Sequence, residues 1–215
     1  MKFKGFTKKQ LLDVYYNMAL SRRLDEKQLI LLKQGKGFFH IGGSGHEAAG
    51  IAAALNFKPE SDFAYPYYRD QAFCLGWGMD SKDHLLAFLA KQDDPSSGGR
   101  QMPQHFGHRE LNIVSQSSPT GTQLLQAVGA GFALQRNGER AVVYVSLGEG
   151  TTSQGDFHEA LNWASRDKVP VIFHVENNHF AISVPIENQT AGASVYKISA
   201  GYENLARFNV NGTDF

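Results

Sequence analysis

The stretch AVVYVSLGEGTTSQGDFHEALNWASRDKVPVIFHVENN, residues 141–178, carries the clearest structural pattern in this sequence. It contains two apolar runs, residues 141–147 and 169–177, with a helix-like segment, residues 156–167, between them. Continuous apolar runs are typical of strands whose two faces are both covered, as in parallel sheets. Strand, helix and strand at this spacing predict a right-handed parallel βαβ unit. We therefore expect an α/β protein in which helices flank a parallel sheet.

A long helix is predicted near the start of the chain. It begins at Thr7, which forms a capping box with Gln10, and it ends near Gly35. Its apolar face is expected at residues that recur with helical spacing: Leu11, Leu12, Tyr15, Met18 and Ala19. The fold should therefore carry a helical N-terminal segment.

Three further helices are predicted outside the βαβ unit. Ser44 and Glu47 form a second capping box at the start of residues 44–56, and the next helix covers residues 81–92. Residues 122–138 form another helix. Its small residues offer a surface for close packing: Ala127, Gly129, Ala130 and Gly131.

Residues 93–121 have little periodicity and many Gly, Pro, Ser and His residues, which indicates a functional loop. RFNV, residues 207–210, predicts another strand, and NGTD after it predicts a turn. A domain rarely ends where a strand delivers its loop, so more polypeptide is expected after residue 215. We predict one domain, truncated at its C-terminus, with three parts: a helical part (1–92), a cofactor-site loop (93–121) and a βα core (122–215).

Composition excludes several classes of function. The chain has 21 Lys+Arg and 21 Asp+Glu, so its formal net charge of +0 gives no sign of a nucleic-acid or membrane-surface partner. No apolar run approaches the roughly 20 residues of a membrane span, and no signal peptide is evident. The single cysteine, Cys74, excludes an internal disulfide and a cysteine-rich zinc site. These features indicate a reducing, cytosol-like compartment.

Polar residues follow both predicted strands of the βαβ unit. Glu149 lies between two glycines after the first strand, and Asn177 and Asn178 follow the second. Because ligands in parallel sheets bind at the carboxyl ends of strands, these residues can share one edge. A carboxylate, an amide oxygen from either asparagine and a backbone carbonyl from the loop beyond form a ligand set for Mg²⁺, with phosphate oxygens completing it. Gly148 and Gly150 would keep side chains away from a diphosphate.

Two alternatives remain open for this strand edge. A lone acidic residue after a strand is commonly a solvated turn residue, and two asparagines are commonly a turn. A nicotinamide-dependent Rossmann dehydrogenase would also place glycines after a strand. Against it, Ser153 stands where the G-x-G-x-x-G motif has its third glycine.

Other polar groups have both a functional and a structural interpretation. Arg69, beside Tyr68, is a candidate phosphate ligand or a surface contact. The turn SSPTGTQ, residues 117–123, either binds a monovalent cation or caps the following helix. Three histidines lie in polar, glycine-bearing contexts from which they could reach an active site: His40, His105 and His108.

Together these motifs resemble a known family. GEGTTSQGD, residues 148–156, followed by VENNHF, residues 175–180, resembles the thiamine-diphosphate motif, which begins G-D/E-G and ends N-N about thirty residues later. MPQHFG, SSPTGTQ, YRDQ and VNGTD also match the family. The whole chain resembles the α subunit (E1α) of the 2-oxo acid dehydrogenase complexes. It is most similar to the branched-chain (2-oxoisovalerate) type, which often has glutamate in the motif and a serine-serine-proline turn.

The resemblance implies a thiamine-diphosphate-binding fold and a role for each matching residue. Glu149 and Asn178 would be side-chain ligands of Mg²⁺, and the carbonyl of Phe180 would be a third ligand. Other residues would bind thiamine diphosphate: Tyr68, Arg69, Gly150 and Thr151 at the diphosphate, and Ser118 and Thr120 at the aminopyrimidine. The K⁺-binding turn would comprise Ser117, Pro119, Thr122 and Gln123. The catalytic histidine loop would lie beyond residue 215, which leaves His40 as the candidate within the chain.

The resemblance also implies an activity and partners. The enzyme would decarboxylate a branched-chain 2-oxo acid and pass the acyl group to a lipoyl arm of the E2 component. An E1β subunit, or a fused β segment, would complete an α₂β₂-type assembly, so the chain alone would be incomplete. No nucleic-acid or membrane partner is expected, and the location would be cytoplasmic in a bacterium or the mitochondrial matrix in a eukaryote.

Substrate and class leave alternatives. Glu176 stands where branched-chain relatives carry arginine and pyruvate-type relatives often carry glutamate, so pyruvate or acetoin dehydrogenase E1α is the first alternative. A Rossmann dehydrogenase is the second. A non-catalytic fragment that only assembles with partners is the third.

Overall fold

The computed structural model of the protein describes residues 2–3 and 5–215. The chain forms two compact units. The first contains Met1–Pro59, Tyr68–Leu111 and Gly212–Phe215, and the second contains Glu60–Tyr67 and Asn112–Asn211.

The first unit is mainly helical. Its regular elements are a strand pair, β1 (Lys2–Phe3) and β2 (Phe6–Thr7), and the helices α1 (Lys8–Lys33), α2 (Glu47–Ala54), α3 (Gln71–Trp77) and α4 (Ser81–Phe88). A short 3-10 helix covers Arg109–Leu111. Val14 of α1, Ile51 of α2 and Ala72 of α3 pack together in its core. The helical N-terminal segment that the sequence predicted is therefore present.

The second unit contains the sheet. Its strands are β3 (Phe63–Tyr65), β4 (Val143–Gly148), β5 (Val171–Glu176), β6 (Phe180–Ala181) and β7 (Val184–Pro185). Its α-helices are α5 (Thr122–Arg136), α6 (Gly155–Asp167), α7 (Ile186–Gln189) and α8 (Val195–Ile198). Short 3-10 helices cover Glu149–Ser153, Ala191–Ala193 and Ser199–Gly201.

The sheet confirms the predicted βαβ unit. Strands β3, β4 and β5 lie side by side in that order, and both pairs are parallel. Helix α6 connects β4 to β5, and α5 precedes β4. One buried core joins the sheet to both helices, with Val145 and Leu147 of β4, Val128 of α5 and Leu161 of α6 among its members. The protein is thus α/β, with helices packed on a parallel sheet.

The close packing predicted for α5 is confirmed at Gly131. A Cβ atom there would lie 2.8 Å from Val169 Cγ1 and 2.8 Å from Val171 Cγ2. At Gly129, two residues earlier, a Cβ atom would meet none of the described residues within 4 Å. The close approach of α5 to β5 therefore requires glycine at position 131 but not at position 129.

Two predictions about the first helices need correction. Thr7 caps α1 with Gln10 as predicted, but Leu12 and Tyr15 are 55% and 71% exposed, so the expected apolar face was partly wrong. The buried side of α1 instead carries polar residues among its apolar ones: Val14, Ser21, Leu24, Asp25 and Gln28. The predicted Ser44–Glu47 capping box is absent, because His46 is the N-cap of α2 and the Ser44 hydroxyl donates to Asp25.

Three other differences concern strands and helices. Strand β5 is only partly buried, and Ile172 is 50% exposed, because β5 is an edge of the described sheet. RFNV forms no strand; Phe208 and Val210 are exposed, although NGTD does contain the predicted turn. The short elements β3 and α3 were missed.

Within the described residues, no helix combines the length and hydropathy that a bilayer crossing requires.

Candidate functional site

The register of β4 and β5 brings the two predicted strand ends together. Gly148, the last residue of β4, pairs with Glu176, the last residue of β5. Glu149 and Asn177 are therefore the first residues to leave adjacent parallel strands at the same edge. Glu149 begins the 3-10 helix Glu149–Ser153 that leads into α6.

Glu149 has a buried carboxylate that is only half satisfied. The residue is 1% exposed. One carboxylate oxygen, Oε2, accepts the backbone N–H of Asn178 at 3.2 Å. The other, Oε1, is buried and has no hydrogen-bond partner among the described residues. A buried charged oxygen without a donor is costly. Glu149 Oε1 is therefore a candidate ligand for a cation.

The solvated-turn interpretation of Glu149 is therefore wrong. A turn carboxylate would face water, whereas the side chain of Glu149 is enclosed and faces the segment that follows β5. The backbone carbonyl of Glu149 is also fully used, because it accepts from Thr152 Oγ1 at 2.7 Å and from Gln189 Nε2 at 2.9 Å. The residue is held on both its main chain and its side chain.

Asn178 is the asparagine whose backbone bonds to Glu149. Its N–H donates to the Glu149 carboxylate, and its Oδ1 accepts the N–H of Phe180 at 2.9 Å. An amide oxygen has two lone pairs, so Oδ1 keeps one for a second partner. Asn177 Oδ1 accepts the N–H of His179 at 2.9 Å and so shapes the same turn.

Phe180 presents a backbone carbonyl that the β6–β7 hairpin does not use. Phe180 pairs with Pro185, and the N–H of Ile186 donates to His179 O at 3.0 Å. Phe180 and Pro185 are therefore a non-hydrogen-bonded pair, and their carbonyls point away from the opposite strand. A ligand that is a backbone carbonyl does not depend on the side chain, so phenylalanine can serve at this position.

These three oxygens fit a hard divalent cation. A carboxylate oxygen, an amide oxygen and a backbone carbonyl are ligands that Mg²⁺ accepts, and Mg²⁺ in proteins usually keeps waters or phosphate oxygens as well. The unpartnered Glu149 Oε1 supplies the charge that such an ion needs. The donor set is therefore compatible with the metal that the sequence predicted.

The two glycines beside Glu149 have different surroundings. A Cβ atom at Gly150 would lie 2.9 Å from Ala181 Cβ, which is too close, so the 3-10 helix packs directly on the hairpin there. A Cβ atom at Gly148 would lie 3.5 Å from Tyr67 Cε2, an ordinary contact. Packing within the protein thus requires glycine at position 150 but not at position 148.

The turn before α5, residues 117–121, supplies no side-chain cap to that helix. Gly121, at φ +95°, is the N-cap of α5 and has no side chain with which to cap it, so the helix-cap interpretation is wrong. Thr122 Oγ1 donates to the Pro119 carbonyl at 2.6 Å, and Gln123 Nε2 donates to Ser146 O at 3.2 Å. Gln123 is thereby tied to β4, while Ser117, Ser118, Pro119 and Thr120 are exposed.

Within the first unit, Arg69 is held by the loop that precedes α2. Its Nη1 donates to the Gly42 carbonyl at 2.6 Å, and its guanidinium lies 5.5 Å from the centroid of the Tyr68 ring. A Cβ atom at Gly43 would clash with the Arg69 carbonyl oxygen, so only glycine allows this approach.

Asp25 organises that loop from the buried side of α1. Its Oδ2 accepts the N–H of Gly43 at 2.9 Å and the hydroxyl of Ser44 at 2.9 Å. Its Oδ1 accepts Gln71 Nε2 at 3.3 Å. A buried carboxylate with several donors is satisfied without a cation, which distinguishes Asp25 from Glu149.

His40 lies against the same carboxylate. Its side chain is 3% exposed, and Nε2 is 3.6 Å from Asp25 Oδ1. Gln104 Oε1 accepts the N–H of Ile41, so its Nε2 is the group that faces His40 Nδ1 at 3.2 Å. Nδ1 is then the acceptor and Nε2 carries the proton. Burial lowers the pKa of His40, and the nearby Asp25 charge only partly offsets this, so the imidazole is neutral at physiological pH.

Several of these residues were missed by the sequence analysis. Asp25 and Gln104 are buried polar residues, and Tyr67 donates to Glu176 Oε2 at 3.0 Å. Gln189 bonds to the Glu149 carbonyl from a segment for which the sequence predicted no element. The one available signal was on α1, where Val14, Ser21 and Gln28 repeat every seven residues and mark its buried side.

The chain is similar to characterised proteins along almost its whole length. A family model described as dehydrogenase E1 component matches residues 15–215. The chain is 43% identical over 210 residues to the 2-oxoisovalerate dehydrogenase subunit alpha of Bacillus subtilis. This alignment covers 98% of this chain and 63% of the relative. It is 35% identical to the 3-methyl-2-oxobutanoate dehydrogenase subunit alpha of Mycobacterium tuberculosis, over 94% of this chain and 52% of that protein.

A pyruvate-type relative is less similar than the first of these. The chain is 34% identical to the pyruvate dehydrogenase E1 component subunit alpha of Staphylococcus epidermidis, over 97% of this chain and 53% of the relative. The chain thus spans between about half and two thirds of the length of these relatives.

Proposed function

Because the chain belongs to the dehydrogenase E1 component family, we propose that the full-length protein is the α component of a 2-oxo acid dehydrogenase. Its substrate would be a branched-chain 2-oxo acid. This choice is supported by 43% identity to a 2-oxoisovalerate dehydrogenase subunit alpha, against 34% to a pyruvate dehydrogenase subunit alpha.

One observation carries the proposal: the unpartnered, buried Oε1 of Glu149 at the shared edge of β4 and β5. Glu149, Asn178 and the Phe180 carbonyl would hold Mg²⁺. The backbone of Gly150 and Thr151 would approach the diphosphate of thiamine diphosphate at the start of the 3-10 helix. When bound, thiamine diphosphate would supply the nucleophilic carbon that attacks the 2-oxo group and allows CO₂ to leave.

The chain's own contribution is to hold Glu149 in place and to supply its negative carboxylate to the metal site. The carboxylate of Glu149 is held by the N–H of Asn178, and its carbonyl is held by Thr152 and Gln189. A cation therefore meets an oxygen that is already in place, which limits the ordering cost of binding. Burial of Glu149 excludes water from its side of the site and strengthens its attraction for the cation.

The remaining cofactor and ion ligands stay predictions from the sequence. Tyr68 and Arg69 would bind the diphosphate, and Ser118 and the Thr120 carbonyl would approach the aminopyrimidine. Thr122, Gln123, Ser117 and Pro119 would form the K⁺ turn. The exposure of residues 117–120 is compatible with these roles. A catalytic role for His40 also stays a prediction; its buried ring lies 3.6 Å from Asp25 Oδ1 through Nε2 and 3.2 Å from Gln104 Nε2 through Nδ1.

The partners follow from the proposed activity. An E1β subunit, or a fused β segment, would complete the enzyme, and a lipoyl-bearing E2 component would accept the acyl group. The location would be the cytoplasm of a bacterium or the matrix of a mitochondrion. The division of the chain at residues 92 and 121 into a helical part, a loop and a core also stays a prediction.

Pyruvate or acetoin is the alternative substrate, motivated by Glu176. Its carboxylate is buried and accepts the Tyr67 hydroxyl at 3.0 Å. A nicotinamide-dependent dehydrogenase has no comparable support, because the family match covers residues 15–215 and includes the segment that motivated it.

The experiment uses the full-length protein in its natural assembly, with Mg²⁺, thiamine diphosphate and an artificial electron acceptor. We expect a higher kcat/KM with 2-oxoisovalerate than with pyruvate. Glu149→Gln should abolish turnover of both substrates, because it removes the charge while keeping the shape. Glu139→Gln is the control, since Glu139 is exposed and its carboxylate accepts from the nearby Asn137 side chain. Full activity of Glu149→Gln would sink the proposal, and a preference for pyruvate would overturn the substrate assignment.

A further inference from the structure

Two hydrogen bonds join Glu149 to the segment after β5. Asn178 N–H reaches the carboxylate at 3.2 Å, and Gln189 Nε2 reaches the backbone carbonyl at 2.9 Å. They differ in kind. The first uses the group that would bind the cation, and the second leaves that group free.

Gln189 is well placed to fix the distance between the proposed ligands. It ends α7, whose first residue, Ile186, is 1% exposed and donates its N–H to His179 O at 3.0 Å. Helix α7 is thereby tied to the hairpin that carries Phe180. The bond from Gln189 to Glu149 closes a ring of contacts that contains all three proposed ligands.

Packing supports the same connection. Gly150 lies so close to Ala181 that a Cβ atom would come within 2.9 Å of the alanine Cβ. The 3-10 helix and the hairpin are therefore in direct contact on one side, and Gln189 bonds them on another. Without Gln189, the Glu149 carbonyl would keep only the hydroxyl of Thr152, which belongs to the same 3-10 helix.

Gln189 also keeps an unused group. Its Oε1 is buried and has no hydrogen-bond partner among the described residues, as is true of Glu149 Oε1. Two residues that share a hydrogen bond thus each present a buried oxygen without a donor. Such oxygens commonly acquire their partner from a bound ion or water.

From these contacts we propose that Gln189 is a positioning residue for the divalent-metal site. It fixes the backbone of Glu149 relative to Asn178 and Phe180 through a bond to the Glu149 carbonyl, which leaves the carboxylate available to the metal. The inference rests on the proposed function, since it requires Glu149 to be a metal ligand. Loss of an outer partner of this kind typically costs about 10–100-fold in metal affinity.

The test compares two glutamines in the full-length protein in its natural assembly. Gln189→Met keeps the length of the side chain but removes the donor. Gln135→Met is the matched control, because Gln135 also donates an amide to backbone carbonyls of another segment, at 3.2 and 3.4 Å, but those carbonyls belong to Asp167 and Lys168 at the end of α6. Mn²⁺ dissociation constants are measured by electron paramagnetic resonance with thiamine diphosphate present, and the unfolding temperature is measured without metal.

We expect Gln189→Met to raise the Mn²⁺ dissociation constant at least about 10-fold, and Gln135→Met to leave it unchanged. A purely structural role would lower the metal-free unfolding temperature without changing the affinity of the folded protein. Gln189→Asn, which keeps the amide but shortens the side chain, gives a second reading if the Met variant does not fold.

Wild-type Mn²⁺ affinity in the folded Gln189 variants would overturn the inference. Glu149→Gln, measured alongside, separates the two levels. If Glu149→Gln binds Mn²⁺ normally, the proposed function fails. If it loses Mn²⁺ while the Gln189 variants keep it, only the role of Gln189 fails.

Discussion

Replacing Gly150 by alanine should loosen the contact between the 3-10 helix and the β6–β7 hairpin. The new Cβ would lie 2.9 Å from Ala181 Cβ and 3.5 Å from Ala181 Cα. Ordinary contacts begin near 3.4 Å, so the hairpin must move by at least about 0.5 Å. The neighbour is a short side chain on backbone, which cannot swing aside as a long flexible side chain would.

The expected size follows from overpacking a close, half-buried contact, since overpacking typically costs about 1–3 kcal/mol. For a chain of this length, each kcal/mol corresponds to roughly 2–4 °C, so the unfolding temperature should fall by roughly 2–12 °C. The same shift moves Phe180 away from Glu149, so Mn²⁺ affinity should fall as well. Calorimetry without metal and Mn²⁺ titration measure the two effects separately.

Gly148→Ala is the internal comparison, because it lies on the other side of Glu149. Its Cβ would have room, 3.5 Å from Tyr67 Cε2, in a backbone conformation that alanine adopts readily. Its stability should be unchanged or raised by up to about 1 kcal/mol. The reasoning is refuted if Gly150→Ala is as stable as the wild type, or if Gly148→Ala is the more destabilised of the two.

Two other perturbations test packing and pH dependence. Gly131→Ala should destabilise the protein by about 1–3 kcal/mol in urea unfolding, because its Cβ would clash with two valines. Gly129→Ala has open space among the described residues and should stabilise α5 by about 0.5–1 kcal/mol. Equal effects of the two substitutions on the free energy of unfolding would contradict this packing. Burial lowers the pKa of His84 to about 4, and the charge of Asp80 offsets part of this shift. Between pH ~6.5 and that value, only the unfolded state binds the proton. The free energy of unfolding therefore falls as the pH falls through this window. Between pH 7 and 5 the wild type should lose about 2 kcal/mol more than His84→Gln in urea unfolding, and parallel losses would show that His84 is not responsible.

Elements with a strong local pattern could be predicted from the sequence. The apolar runs of β4 and β5 and the helix between them gave the parallel sheet, and its register then brought Glu149 and Asn178 together. The capping box at Thr7 depends on residues three apart, so it too was visible locally. Local information was sufficient wherever the partner residues are near in sequence or follow from strand topology.

Features that depend on distant partners could not be predicted. Ser44 looked like a helix cap, but the buried Asp25 carboxylate, 19 residues earlier, takes its hydroxyl. The three-residue strand β3 is a strand because it pairs with β4, which lies almost 80 residues later. The role of Gln189 likewise depends on a carbonyl 40 residues away. Such pairings are set by the tertiary fold, and no propensity in the sequence reports them.

Anomalous scattering of Mn²⁺, in crystals of the full-length protein in its natural assembly grown with thiamine diphosphate, would locate the divalent metal. We predict a peak at about 2.0–2.3 Å from Glu149 Oε1, the oxygen that has no protein donor, with Asn178 Oδ1 and the Phe180 carbonyl also at ligand distance. A Mn²⁺ peak bound elsewhere, with the diphosphate present and Glu149 Oε1 still without a partner, would contradict the assignment of this strand edge as the metal site.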